Sequence, residues 1–142
     1  VELRQDFLKG WPVLVVDDDL DHVGVVARIL QYHGATIFIA SNGYEALQIL
    51  QRVHPRFILS DLEMPELDGW GLIRFLRQDP KRREIPVIAI TGHNGRDERE
   101  RVLQAGFYQY LLKPFTGVSF MRDLMTVLIT IPELARDLVD EV

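Results

Sequence analysis

The sequence contains no cysteine, so neither a disulfide framework nor thiolate chemistry is available to it. The compartment is left open by that absence, and the cytoplasm is the expectation. Basic residues are the minority, 16 Lys and Arg against 21 Asp and Glu, for a net charge of -5. A nucleic-acid surface ordinarily needs a basic footprint, so direct binding to DNA or RNA is not expected. No apolar run approaches the roughly 20 residues needed to span a bilayer. The opening stretch, VELRQDFLKG, lacks the basic-then-apolar layout of a secretory signal. Insertion into a membrane is therefore not expected either. An initiating Met is also missing, which suggests a processed or excised piece of a longer chain. What is present is the composition of one folded domain: 47% hydrophobic and 26% charged over 142 residues.

Five short apolar runs recur along the chain: VLVV at 13–16, TIFIA at 36–40, FILS at 57–60, VIAIT at 87–91 and YLL at 110–112. The first, third and fourth are almost continuously apolar, as strands covered on both faces of a parallel sheet must be. Between the runs the period changes to helical. Val23, Val26, Ala27 and Leu30 define a first helix, ended by Gly34. Ala46, Leu50 and Val53 define a second, stopped by His54-Pro55 because a residue before proline disfavours the α region. A third starts at Gly69 and uses Ile73 and Leu76. A fourth, Asp97 to Ala105, is highly charged, with Val102 and Leu103 as its buried positions. The fifth carries the longest stripe, Phe120, Leu124, Val127, Leu128 and Ile131. Strands alternating with helices imply βαβ units with right-handed crossovers, hence an α/β fold with helices on both faces of a five-stranded parallel sheet. Residues 1–10 read as an N-terminal flank, 11–131 as the domain and 132–142 as a C-terminal tail or linker. Leu134 and Leu138 leave a docked helix and a solvated tail both open.

The acids fall where such a sheet places its sites, beyond the carboxyl ends of the strands. The first strand runs into Asp17, Asp18, Asp19 and Asp21, and the third into Asp61. The fourth ends in Thr91 and the fifth is followed by Lys113. Each residue alone has an ordinary reading. A strand-end Asp is commonly a helix cap or turn former, and this is the expectation for Asp19, Asp21 and Asp68. The histidines, His22, His33, His54 and His93, show no ligand spacing and read as structural or exposed. Together the strand ends mean more. Converging carboxylates repel and are costly to bury, and a hard divalent cation such as Mg2+ removes that cost. Acids with a metal, an ammonium and a hydroxyl are the surroundings a phosphoryl group needs during transfer.

The segments VVDDD, SDLEMPELDGWGL, VIAITG and YLLKPF, in this order, closely resemble the receiver domain of two-component response regulators, with a chemotaxis-regulator-like pattern. The resemblance runs from about Val13 to Ile131. It implies a flavodoxin-like doubly wound sheet of order 2-1-3-4-5. It also implies that Asp61 accepts a phosphoryl group from a phosphohistidine, becoming 4-aspartylphosphate. Asp18 and Asp61 would be carboxylate ligands of Mg2+ (or Mn2+), Glu63 a ligand through its main-chain carbonyl, and Asp17 a ligand acting mainly through water. Lys113 would contact a phosphoryl oxygen, Thr91 would be the switch hydroxyl, and Tyr110 the aromatic that follows it. Pro114 matches the family's proline after a cis peptide bond. Glu63 and His93 stand two residues after the acceptor and the threonine, where the family tunes acyl-phosphate lifetime. The family is a signalling switch that catalyses its own phosphorylation and dephosphorylation. Its partners are a sensor histidine kinase or a histidine phosphotransfer protein, a downstream effector, and in some cases a second copy. The expected response is a repacking of the surface made by the fourth helix, fifth strand and fifth helix.

Two other classes compete. A haloacid-dehalogenase-type phosphatase also uses an Asp-x-Asp after its first strand, with Thr, Lys and magnesium. Here no late Gly-Asp pair follows Lys113, and Asp61 would be unexplained. A receiver-shaped interaction module without phosphorylation has no physical reason to keep mutually repelling acids.

Overall fold

A computed structural model of the chain describes residues 6–92, 95–113 and 116–139. Strands β1 (Pro12–Val16), β2 (Thr36–Ala40), β3 (Phe57–Asp61), β4 (Val87–Thr91) and β5 (Gln109–Leu112) form one parallel sheet of order 2-1-3-4-5. Helices α1 (Leu20–Tyr32), α2 (Gly43–Leu50), α3 (Gly69–Gln78) and α4 (Arg96–Ala105) join successive strands, and α5 (Gly117–Leu128) and α6 (Pro132–Val139) follow β5. This is the flavodoxin-like arrangement that the resemblance implied, built on the parallel sheet that the alternation of elements implied.

The continuous apolar strands serve two cores at once. Val13 and Val15 of β1, Phe57 and Leu59 of β3, and Ile88 and Ile90 of β4 face α1, α5 and α6. Their neighbours Leu14, Val16, Ile58, Val87 and Ala89 face α2, α3 and α4. Side chains alternate across a strand, so both faces are apolar only if every position is.

Two boundaries and one buried position differ from the sequence reading. The second helix ends at Leu50 rather than at Pro55. The Gln51 and Arg52 N–H groups bond to Gln48 and Ile49, three residues back, and this tightened turn closes the helix early. The α5 helix ends at Leu128, and Ile131 is buried in the connection that follows. On α4, Val102 is fully buried but Leu103 is exposed. Adjacent helical residues lie about 100° apart, so a helix touching the body along one line buries only one of the two.

Leu8, Trp11 and α6 close the side of the sheet opposite the strands' carboxyl ends. Leu8 is fully buried, and its N–H donates to the His33 carbonyl at 2.9 Å. Gly34 has φ +97, and a Cβ there would stand 2.8 Å from the Lys9 Cα, so only glycine fits this crossing. Leu134 and Leu138 of α6 join the same core as Leu8 and Trp11. The Arg56 guanidinium stacks over the Trp11 ring, 4.2 Å from its centroid, and pairs with Asp137. Leu134→Ala should therefore lower unfolding stability by roughly 2–5 kcal/mol, the usual loss for a buried leucine. An unchanged urea midpoint would mean that α6 does not hold to the sheet.

Candidate functional site

The site follows from the pairing of β1 with β3. These strands run parallel with Val16 opposite Ser60, so the next residues, Asp17 and Asp61, leave the sheet side by side. Chain direction reverses across the sheet at this point, because β1 leads outward to β2 while β3 leads the other way to β4 and β5. Carboxyl-end crevices at such a reversal are where open α/β sheets hold ligands. One oxygen from each of Asp17, Asp18 and Asp61 lies within 4.8 Å of the others. Among the described residues this is the cluster of metal-binding character. The Glu63 side chain lies outside it, exposed, which leaves only its main-chain carbonyl as a candidate ligand.

The three acids are not equivalent. Asp17 is fully buried, Asp18 is exposed and Asp61 lies between. Oδ1 of Asp17 accepts the Asp19 N–H at 3.0 Å, and Oδ2 accepts from His22 Nδ1 at 2.6 Å. Oδ1 of Asp61 accepts the Leu62 N–H at 2.9 Å. Lys113, carried just beyond β5, sets its Nζ 3.4 Å from Asp61 Oδ2 and 3.5 Å from Asp17 Oδ2.

These contacts push the pKa values of Asp17 and Asp61 apart. Burial raises Asp17, but the His22 hydrogen bond, the Asp19 N–H and the Lys113 charge more than offset it, and its pKa falls below the ordinary carboxylate value. Burial also raises Asp61, and the neighbouring Asp17 charge adds to it. Lys113 and the Leu62 N–H do not fully compensate, so Asp61 ends above the ordinary value. Of the pair, Asp17 keeps its charge more readily.

Local sequence fixes the frame around the acids. Asp19 caps α1, accepting from the Asp21 and His22 N–H groups. Asp68 caps α3, accepting from the Gly71 N–H at 2.9 Å. Both therefore do what short acids before helices commonly do. The loop after Asp61 is tied down along its length. The Gly69 N–H donates to the Leu62 carbonyl and the Gly43 N–H to that of Leu67, while Asn42 Nδ2 donates to Glu66. A Cβ on Gly69 would stand 2.3 Å from the Asp61 carbonyl oxygen, so glycine is required where α3 begins against Asp61.

Thr91 ends β4 almost fully buried, and the Lys113 N–H donates to its carbonyl at 2.8 Å. Tyr110 pairs with Ala89 in the β4–β5 register and lines a groove of about 450 Å3 between α4, β5 and α5, together with Arg99, Asp123 and Thr130. His93 and Pro114 lie outside the described residues. Two site contacts escaped the sequence reading. His22 is not an incidental histidine, since it bonds Asp17, and Asn42 is a buried cap that restrains the loop after Asp61. The one available signal for His22 was its place in the first turn of α1, directly after the acidic run.

A doubly wound sheet of this order, with acids and a lysine gathered at the carboxyl ends of β1, β3 and β5, is the arrangement that the resemblance to receiver domains implied. The chain belongs to the response regulator receiver domain family, whose model matches residues 13–125. It is 38% identical over 115 residues to an uncharacterized 14.6 kDa protein of Leptolyngbya boryana, covering 81% of this chain and 88% of that one. Chemotaxis response regulator CheY4 of Vibrio cholerae superposes with a TM-score of 0.78 at 27% identity, covering 83% of this chain and 98% of CheY4. The receiver domain of sensor histidine kinase PA1611 from Pseudomonas aeruginosa PAO1, solved with a magnesium ion in its active-site cleft, gives 0.73 at 32% identity, covering 82% and 96%. This chain is thus a receiver domain of two-component signalling, and neither the phosphatase nor the phosphorylation-free module is favoured.

Proposed function

We propose that Asp61 is the phospho-acceptor of this receiver and that the donor is a phosphohistidine of a sensor histidine kinase or a histidine phosphotransfer protein. The reading rests chiefly on one observation: three carboxylates converge while the Lys113 ammonium stands against Asp61. In the transfer, an Asp61 carboxylate oxygen forms a bond to phosphorus as the N–P bond of the donor breaks, and the imidazole departs with the bonding pair. Asp18, Asp61 and the Glu63 carbonyl are the groups that would hold Mg2+ or Mn2+, with Asp17 beside them. When bound, the cation neutralises the carboxylates and the phosphoryl oxygens.

The protein's own groups do the rest. The Leu62 N–H and the tethered loop hold the Asp61 carboxylate in one orientation, which spares reorganisation during transfer. Lys113 lends positive charge to the oxygens on which charge accumulates. After transfer, the added charge of roughly -1.5 to -2 attracts Thr91 and Lys113. Tyr110 and the α4–β5–α5 groove then repack. The α4 helix suits such a shift: its Gly95 N-cap makes no side-chain hydrogen bond, and among its described side chains only Val102 is fully buried. That face is the proposed surface for an effector or a second copy. Residues 11–131 form the switching unit on this reading, with 1–10 and 132–142 as flanks, and the cytoplasm is its place of action.

Acetyl phosphate tests the reading directly. Intact-mass measurement should show one added phosphoryl group with Mg2+ present and none with the cation chelated. No gain in either condition would remove the proposal. Glu63→Ala should alter the rate at which the phosphorylated form decays, because residue 63 stands exposed two positions after Asp61, while phosphorylation itself persists. Equal lifetimes for the two proteins would show that residue 63 has no such part.

A further inference from the structure

Asp17 is buried, yet its position is set by a group that the carboxylate cluster does not include. Asp19 caps α1 by accepting the Asp21 and His22 N–H groups at 3.1 and 3.2 Å, which fixes the first helical turn and with it the base of the His22 side chain. From there Nδ1 reaches Asp17 Oδ2 at 2.6 Å. An ionised carboxylate only accepts, so the proton of this bond is on Nδ1. Lys113 Nζ approaches the same oxygen no closer than 3.5 Å and stands almost equally far, 3.4 Å, from Asp61 Oδ2. The ammonium is therefore balanced between two acids, and the shorter His22 bond decides which of them has its oxygen already satisfied.

We propose that His22 is a positioning residue of the phosphorylation site: its Nδ1–H occupies Asp17 Oδ2, orienting that carboxylate toward the cation position and leaving Lys113 to face Asp61. This deepens the receiver reading given above and rests on it. Without the donor, Asp17 Oδ2 draws Lys113 to itself. The ammonium then leaves the acceptor and brings a positive charge toward the place where the divalent cation is needed. Partners that orient metal-site carboxylates from behind typically matter about 10–100-fold in metal affinity.

Substitutions that move the donor by one bond separate positioning from bulk. The Nδ2 of an asparagine is as many bonds from Cβ as the Nδ1 of a histidine, whereas the Nε2 of a glutamine is one bond further, and leucine has no donor. His22→Asn should keep most of the wild-type Mg2+ affinity, measured by calorimetry without any phosphodonor, and most of the rate with acetyl phosphate. His22→Gln and His22→Leu should each weaken Mg2+ binding roughly tenfold and slow phosphorylation, with thermal melting in chelator reporting that each variant is folded. If wild type binds Mg2+ and His22→Leu binds it equally, or if the Asn and Gln variants fall together, the positioning role is overturned and the receiver reading stands. A wild-type protein that neither binds Mg2+ nor gains a phosphoryl group overturns the receiver reading itself.

Discussion

Asp61→Asn should abolish phosphorylation by acetyl phosphate while making the metal-free protein more stable. Both halves follow from one geometry. Asp61 is half-buried beside Asp17, and its pKa is raised by that burial first and by the Asp17 charge as well, beyond what Lys113 restores. A carboxyl whose folded pKa lies above its unfolded value binds its proton more tightly when folded. Its contribution to stability is thus present at low pH and is lost as pH rises from the unfolded value through the folded one. At neutral pH the ionised Asp61 is a liability, and an amide of the same shape removes it. Unfolding curves should show the variant melting a few degrees above wild type at pH 7, with the gap closing as pH falls below the folded pKa of Asp61. Asp17 behaves oppositely. Its pKa is lowered, so its contribution is present above the unfolded carboxylate value and disappears as acid protonates it. Magnesium should close the gap from the other side, since a ligand held 100-fold above its Kd stabilises by about 2.7 kcal/mol and wild type offers the fuller set of ligands. An Asp61→Asn protein that melts below wild type at pH 7 without metal would contradict the repulsion on which the site reading depends.

Replacing Lys113 by Met should slow phosphoryl transfer by roughly 100- to 1000-fold, the range for removing one preorganised donor from developing negative charge. Metal affinity is expected to move the opposite way. The ammonium is 3.4 Å from Asp61 and 3.5 Å from Asp17 and competes with a cation for them, so calorimetry should find Mg2+ bound at least as tightly as in wild type. That split distinguishes a lysine acting on the phosphoryl group from one that only neutralises the acids. A lysine of the second kind would leave the rate near wild type once magnesium saturates the site. Stability without metal should fall, because Asp17 loses one of the charges that hold it ionised.

Much of this was legible in the chain itself. The apolar runs of β1, β3 and β4 contain few polar residues, and such runs are stable only when covered on both faces, which makes the sheet parallel and doubly wound. Asp17, Asp18, Asp61, Thr91 and Lys113 stand out for the same reason, being polar groups placed where continuous apolar runs end. Periodicity was weaker where a helix touches the body along a single line: it marked Leu103 together with Val102 and carried the second helix on to Pro55, although a tightened turn stops it at Leu50. His22 and Asn42 were beyond its reach, because their partners are set by how α1 and α2 begin relative to the strand ends.

Strand direction, the two apolar faces and the acids at strand ends are local consequences of side-chain pattern, and the sequence by itself determined them. The register of β1 against β3 is a long-range pairing, and only the tertiary structure decided that Asp17 stands beside Asp61, that Lys113 is balanced between them and that His22 closes on the buried acid. Electrostatic coupling depends on separations of a few ångströms between residues far apart in the chain. No spacing along the sequence encodes those distances.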